Sequence, residues 1–263
     1  MLKYFISTCF VFCFFFGNAQ SKPIDTNPKD TVVYKQPYGL RVGVDLSRPT
    51  ISFFEEEYTG LEFVGDYRIS QKYYLAAELG NEKRTRQEDT YNFTTNGSYI
   101  KVGVDYNTYA NWYGEQNMIY AGARFAFSNF SHTINNYQIF NSNRYWSPDG
   151  FAESGSDPIE FENRTATWIE AVLGIKAELF ANIYLGASMR LGVLIPNPNK
   201  QLQTDKEFTN LFIPGFNKVT DNSIFGVGYN FSISYFIPFY KKAKKTEAED
   251  EQPILLEEKE DEN

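Results

Sequence analysis

The sequence predicts an all-β fold, a single antiparallel transmembrane β-barrel of about eight strands, with ten the alternative. Three observations carry this expectation. Segments with period-two alternation recur along the chain, each with one apolar face and one face that mixes glycine with charges of both signs. The connections between them alternate between short and long. An apolar N-terminal run of leader type marks the chain for export.

The leader is expected to span residues 1–19. It has Lys3, an apolar run from Tyr4 to Phe16, and the small residues Gly17 and Ala19 spaced as a cleavage site. At thirteen residues the run is too short for a helix across a bilayer, which takes roughly 20. Both cysteines, Cys9 and Cys13, fall inside it, so the mature chain is expected to carry no disulfide, thiolate metal site or cysteine nucleophile. Residues 20–37 are expected to form a periplasmic segment ahead of a barrel over 38–240.

Eight candidate strands follow. In Leu40–Leu46 the even positions are apolar and Arg41, Gly43 and Asp45 share the other face. Leu61–Ile69 sets Leu61, Phe63, Tyr67 and Ile69 against Glu62, Asp66 and Arg68, and Tyr73–Leu79 sets Leu75, Ala77 and Leu79 against Glu78. Tyr99–Tyr106 opposes Ile100, Val102 and Val104 to Lys101, Gly103 and Asp105, and Ile119–Phe127 puts Gly122 and Arg124 opposite Phe125 and Phe127. Ile169–Leu179 looks helical by residue preference. Its alternation nonetheless places Glu170, Gly174, Lys176 and Glu178 on one face, broken only by Val172 on the way. Tyr184–Val193, with Arg190, and Phe225–Ile237, with a small and polar face, complete the set.

Such strands suit either a soluble sandwich with the oily face inward or a membrane barrel with that face toward lipid. Glycine decides. Gly43, Gly103, Gly122, Gly174, Gly186, Gly192, Gly226 and Gly228 all fall on the polar face, where a solvated exterior would have no use for them. A narrow lumen needs them to make room for long Arg, Lys and Glu neighbours. Arg41, Arg68, Lys101, Arg124, Lys176 and Arg190 then meet Asp45, Glu62, Asp66, Glu78, Asp105, Glu170 and Glu178 inside, a near balance that implies cross-strand pairs and a closed interior.

Connections are short at Ser70–Lys72 and Phe180–Ile183, intermediate at Asn107–Gln116, and long near Glu82–Ser98, Ser131–Thr165 and Pro196–Asn222. The connection with Pro49 and Glu55 to Glu57 belongs by order with the long set. This alternation puts short turns and both termini in the periplasm. The chain resembles small Gram-negative outer-membrane barrels of the OmpA/OmpX type, and more nearly uncharacterised Bacteroidota barrels, in its leader ending Asn18-Ala19-Gln20 and in the strands Gly39–Ser47 and Thr59–Ser70. Gly228, Phe231 and Ile233 resemble the assembly signal in the last strand of such proteins, departing from it at Gly226 and in continuing past the strand. The resemblance implies outer-membrane lipid and the barrel-assembly machinery as partners.

Chemistry is sparse. His132, the one histidine, lies near Ser128 and Ser131, but its register continues the lumen face, and a lipid hydrolase would need its base near the bilayer. Carboxylates Asp149, Glu153, Asp157, Glu160 and Glu162 fit no calcium-loop spacing. Tyr145, Trp146 and Phe151 in the same loop are candidates for contact with an extracellular partner or glycan. No metal or cofactor motif is present. A net charge of −8 argues against nucleic acid, and the charged tail 241–263 is expected to be solvated and disordered, or else to dock on a periplasmic partner. The expected role is non-enzymatic: envelope structure or surface interaction. The alternatives are a narrow channel or transport accessory, and a lipid-modifying enzyme.

Overall fold

The structure is a computed structural model that describes residues 35–89, 91–109, 111, 116–140, 151–155, 157–195, 212–216 and 224–243, with backbone alone at 139, 140 and 151–155. The expected leader and most of the expected tail lie outside these residues. The strands are β1 (Lys35–Asp45), β2 (Tyr58–Arg68), β3 (Tyr73–Gln87), β4 (Tyr91–Asn107), β5 (Met118–Phe140), β6 (Phe151–Gly155), β7 (Ile159–Phe180), β8 (Ile183–Ile195) and β9 (Phe225–Ala243), with one helix, α1 (Ser47–Phe54), between β1 and β2. No described helix is long and apolar enough to cross a membrane.

Eight strands close into a ring in the order β1-β2-β3-β4-β5-β7-β8-β9, every pairing is antiparallel, and β6 adds only to the far end of β5. Each of the eight alternating segments is the core of one of these strands. The ring is staggered. Followed from strand to strand, the residue paired through from Val227 re-enters β9 at Ile237, ten residues further on. Stagger and strand number together set strand tilt and leave an interior that side chains just fill.

The outward faces form an apolar belt. Leu79, Ile100, Phe125, Ile169, Leu173, Met189, Val227 and Phe231 are all exposed, while the charges opposite them are buried. The lower rim carries the short turns, both ends of the described chain, and aromatic pairs such as Tyr38 with Tyr240 and Tyr73 with Tyr106.

Two expectations about connections need correcting. Glu82–Ser98 is not a loop: β3 runs to Gln87 and β4 starts at Tyr91. Similarly β5 continues to Phe140 and β7 begins at Ile159. The reason is a switch in composition at constant register. Up β4 the outward side chains change from Val104, Val102 and Ile100 to Ser98, Asn96, Thr94 and Asn92, while the inward ones change from Asp105 and Lys101 to Tyr99, Phe93 and Tyr91. Above the belt the strands are therefore ordinary sheet, with the oily face in. The expected tail also yields its first residues to β9, where Lys241 to Ala243 pair with Pro37 to Lys35.

Candidate functional site: a filled, ion-paired lumen

Of the thirteen charges expected inside, twelve point inward. Glu178 does not join them. It is exposed at the lower rim and its carboxylate accepts the Asn182 N–H at 3.0 Å, closing the β7–β8 turn. Arg68 points inward yet makes no carboxylate pair among the described residues. Its guanidinium donates to the Ser70 and Pro37 carbonyls and the Gln36 amide oxygen, and stacks 4.7 Å over Tyr38.

Most of the others fall into two clusters. Near the lower end Asp66 accepts from Arg41 at 2.7 Å and from Lys176 at 2.6 Å, and Arg41 lies over the rings of Tyr74 and Tyr184. At mid-height Glu78 pairs with Arg190 and, at 3.3 Å, with Arg124, whose other edge holds Asp105 at 2.6 Å. Lys101 donates to Glu170 at 3.1 Å, and Glu170 also accepts the Trp168 indole N–H. The bulky cations lie against a wall of small polar residues on β9, namely Asn230, Ser232 and Ser234. The space left in this layer is a cavity of about 20 Å³, room for about one water molecule.

Two residues complete the balance. Glu82 is fully buried two alternations above Glu78, and Arg48 reaches in from α1 to pair with Glu82 at 2.9 Å. Among the described residues seven cations (Arg41, Arg48, Arg68, Lys101, Arg124, Lys176, Arg190) then face seven anions (Asp45, Glu62, Asp66, Glu78, Glu82, Asp105, Glu170). Glu82 could have been found by carrying the β3 alternation further. Arg48 could not, because it follows the end of a strand.

A second feature had no sequence signal. Residues Phe212–Phe216, from the connection between β8 and β9, fold back into the upper lumen. The Gly215 N–H donates to Glu82 at 3.0 Å, with Gly215 at a φ of 83°, a left-handed conformation suited to glycine. Phe216 packs edge-on to Trp168 with centroids 5.4 Å apart. Here the glycine expectation is revised. Gly122 does make room beside Asp105 and Arg124, but Gly192 and Gly226 seat the Phe216 ring and Gly174 seats that of Tyr120. A side chain at Gly192 would come within 2.7 Å of Phe216.

His132 is buried between Phe93 and Phe130, five residues beyond Phe127, where the outward apolar run on β5 ends. Its Nδ1 shares a 2.6 Å hydrogen bond with the Thr95 hydroxyl. Burial, with the nearby positive charge of Arg164, holds the imidazole down to about 3, so it is neutral at neutral pH. Ser128 donates instead to the Ser98 carbonyl at 3.3 Å. Among the described residues no three His, Asp or Glu side chains group as a metal site. Tyr145, Trp146 and Asp149 lie outside the described residues, as do the side chains of Phe151 and Glu153.

Closed ring, apolar exterior and ion-paired interior define an inside-out eight-stranded β-barrel with a filled lumen. Residues 1–242 match the family described as Domain of unknown function (DUF6048), and the chain belongs to that family. No curated protein matches it. Among solved structures it is similar to the crystal structure of Ail, the attachment invasion locus protein of Yersinia pestis, at 8% identity and a TM-score of 0.36, over 77% of this chain and 99% of that one.

Proposed function

We propose that the protein is a non-enzymatic outer-membrane barrel that acts as a rigid anchor, holding its long connections and tall strand ends at the cell surface for envelope structure or partner contact. The observation that carries this reading is the plugged lumen: seven cations matched by seven anions under an aromatic cap. A selective pore would favour one sign of charge along a water-filled path. The belt supports a membrane setting. From Ile169 to Leu179 the apolar run on β7 extends about 34 Å along the strand, or about 26 Å along the normal at a tilt of about 40°, close to the apolar height of such barrels. The long β1–β2, β5–β7 and β8–β9 connections all leave the end opposite the described chain ends, which supports periplasmic termini, and the leader supports export with cleavage after Ala19. Against a lipid-modifying enzyme stands His132, sealed between rings with Thr95 rather than a serine as its partner.

Three measurements test the proposal: fractionation of cells and, on the purified refolded protein, gel mobility and bilayer recording. The protein is expected to fractionate with outer membranes and to migrate as a compact band in SDS until boiled, since closure leaves few strand edges to attack. In planar bilayers it is expected to pass no steady current. Recovery as a soluble periplasmic protein would sink the membrane reading, and steady ion-selective currents would promote the channel.

A further inference from the structure

Among the described residues the barrel wall has a gap beside β1, at the upper edge of the belt. β1 stops at Asp45, opposite Ser232 on β9, and its last partner on β2 is Phe63, opposite Val44. β9 and β2 both continue upward, to Phe225 and Tyr58. Beyond the end of β1 no described strand joins them. The Phe231 backbone still bonds across to Leu46 N–H and to the Asp45 carboxylate. By the alternation of an antiparallel ladder, the next backbone groups on that edge are those of Tyr229 and Val227, and they face the gap. On the β2 side the Gly60 N–H is taken by the Ser52 hydroxyl of α1 at 3.0 Å.

A cavity of about 230 Å³ crosses the wall here. From inside it is lined by Ile51, Tyr58 and Phe212, and from outside by Val227 and Tyr229, which belong to the belt. At its top stand Arg84 and Glu55, paired at 2.9 Å, with the Arg84 guanidinium 5.6 Å from the rings of both Tyr58 and Phe212. Arg48 also borders the cavity but is engaged with Glu82. Arg84 is paired in register with Tyr58, three residues above Leu61, the last apolar outward residue of β2.

Resting on the membrane reading above, we propose that this notch holds a membrane lipid whose head carries a phosphate and a primary ammonium. Part of one acyl chain enters between β2 and β9 against Ile51, Phe212 and Val227. The phosphate meets the planar fork of Arg84, and the ammonium meets Glu55. Position and charge select this occupant. The mouth opens on the apolar belt, and the charged pair borders the cavity above Leu61, the last apolar outward residue of β2, with Arg84 on the inward face of β3 beside Phe212. An exposed Arg–Glu pair gains little by itself, so a zwitterionic head can replace one partner of each by another without leaving either charge unmatched. An arginine fork also binds phosphate through two parallel hydrogen bonds.

The test is contact-range photocrosslinking of the full-length protein in vesicles of phosphatidylethanolamine and phosphatidylglycerol. A diazirine amino acid is placed at Ile51, at the outward-facing Phe63, or at the enclosed Ile134. Lipid adducts of phosphatidylethanolamine mass are expected at 51 and 63 and not at 134. A label at Phe212 gives a second reading should the variant at 51 fold poorly. Arg84→Gln is expected to lower the adduct at 51 about tenfold, as loss of a charge-assisted contact implies, with the adduct at 63 unchanged. Adducts at 63 but none at 51 or 212 would overturn the notch while leaving the membrane reading intact. Crosslinks from 51 into a peptide segment, or a preference there for phosphatidylglycerol, would overturn the assigned occupant. No lipid adduct even at 63 would remove the membrane reading and this proposal with it.

Discussion

Glu78→Ala is expected to destabilise the barrel by about 3–5 kcal/mol, the cost of removing one partner from a buried charge pair. Glu78 is the carboxylate that both Arg190 and Arg124 share. Without it Arg124 keeps Asp105 at 2.6 Å, but Arg190 is left with Glu62 and Glu170, both 3.7 Å away. Their small neighbours on β9 offer no replacement acceptor of full charge. The effect should appear as a lower urea midpoint for unfolding in detergent or bilayer, followed by loss of the compact band. Glu78→Gln, which keeps the shape and one acceptor, should cost less. A double-mutant cycle separates pairing from packing: Arg190→Met should be far milder in the Glu78→Ala background than alone, because its partner is already gone. Additive effects in that cycle would mean that the interior charges stand independently and that the lumen is not a structural network.

The second large effect is expected on the outside. Leu173 is two-thirds exposed on β7, between Ala121 and Met189 on its neighbours and near the middle of the belt. On a water-exposed surface Leu173→Arg would be harmless or would improve solubility. Facing hydrocarbon, it should cost about 2–4 kcal/mol, whereas the same cation near the interface costs about 0–1. Asn96→Arg supplies that control, since Asn96 is outward on β4 above the last apolar residue. Refolding into vesicles, scored by the fraction of compact band, should fall sharply for Leu173→Arg and hardly at all for Asn96→Arg. Equal tolerance of both would show that lipid does not cover the belt.

What the sequence by itself determined was the strands and their faces. A side chain's face depends only on its parity along a strand, so Ile169, Leu173 and Glu170 declare their sides locally, against the helical preference of the same residues. Eight such segments, each inverted relative to a soluble sheet, were enough for the barrel, and for twelve of the interior charges.

Tertiary structure alone decided where the pattern stops and which charge meets which. Glu178 has lumen parity but lies at the rim, past the enclosed part of β7, so parity says nothing of its burial. Arg48 and Phe212–Phe216 enter the lumen from connections, where no strand period exists to announce them. Arg41 and Asp66 are direct neighbours in the β1–β2 register, yet Lys176 reaches the same Asp66 from 110 positions away and Arg190 reaches Glu78 from 112. Those partners come together across the lumen because the closed ring is staggered by ten residues, a property of the whole ring that no single strand encodes.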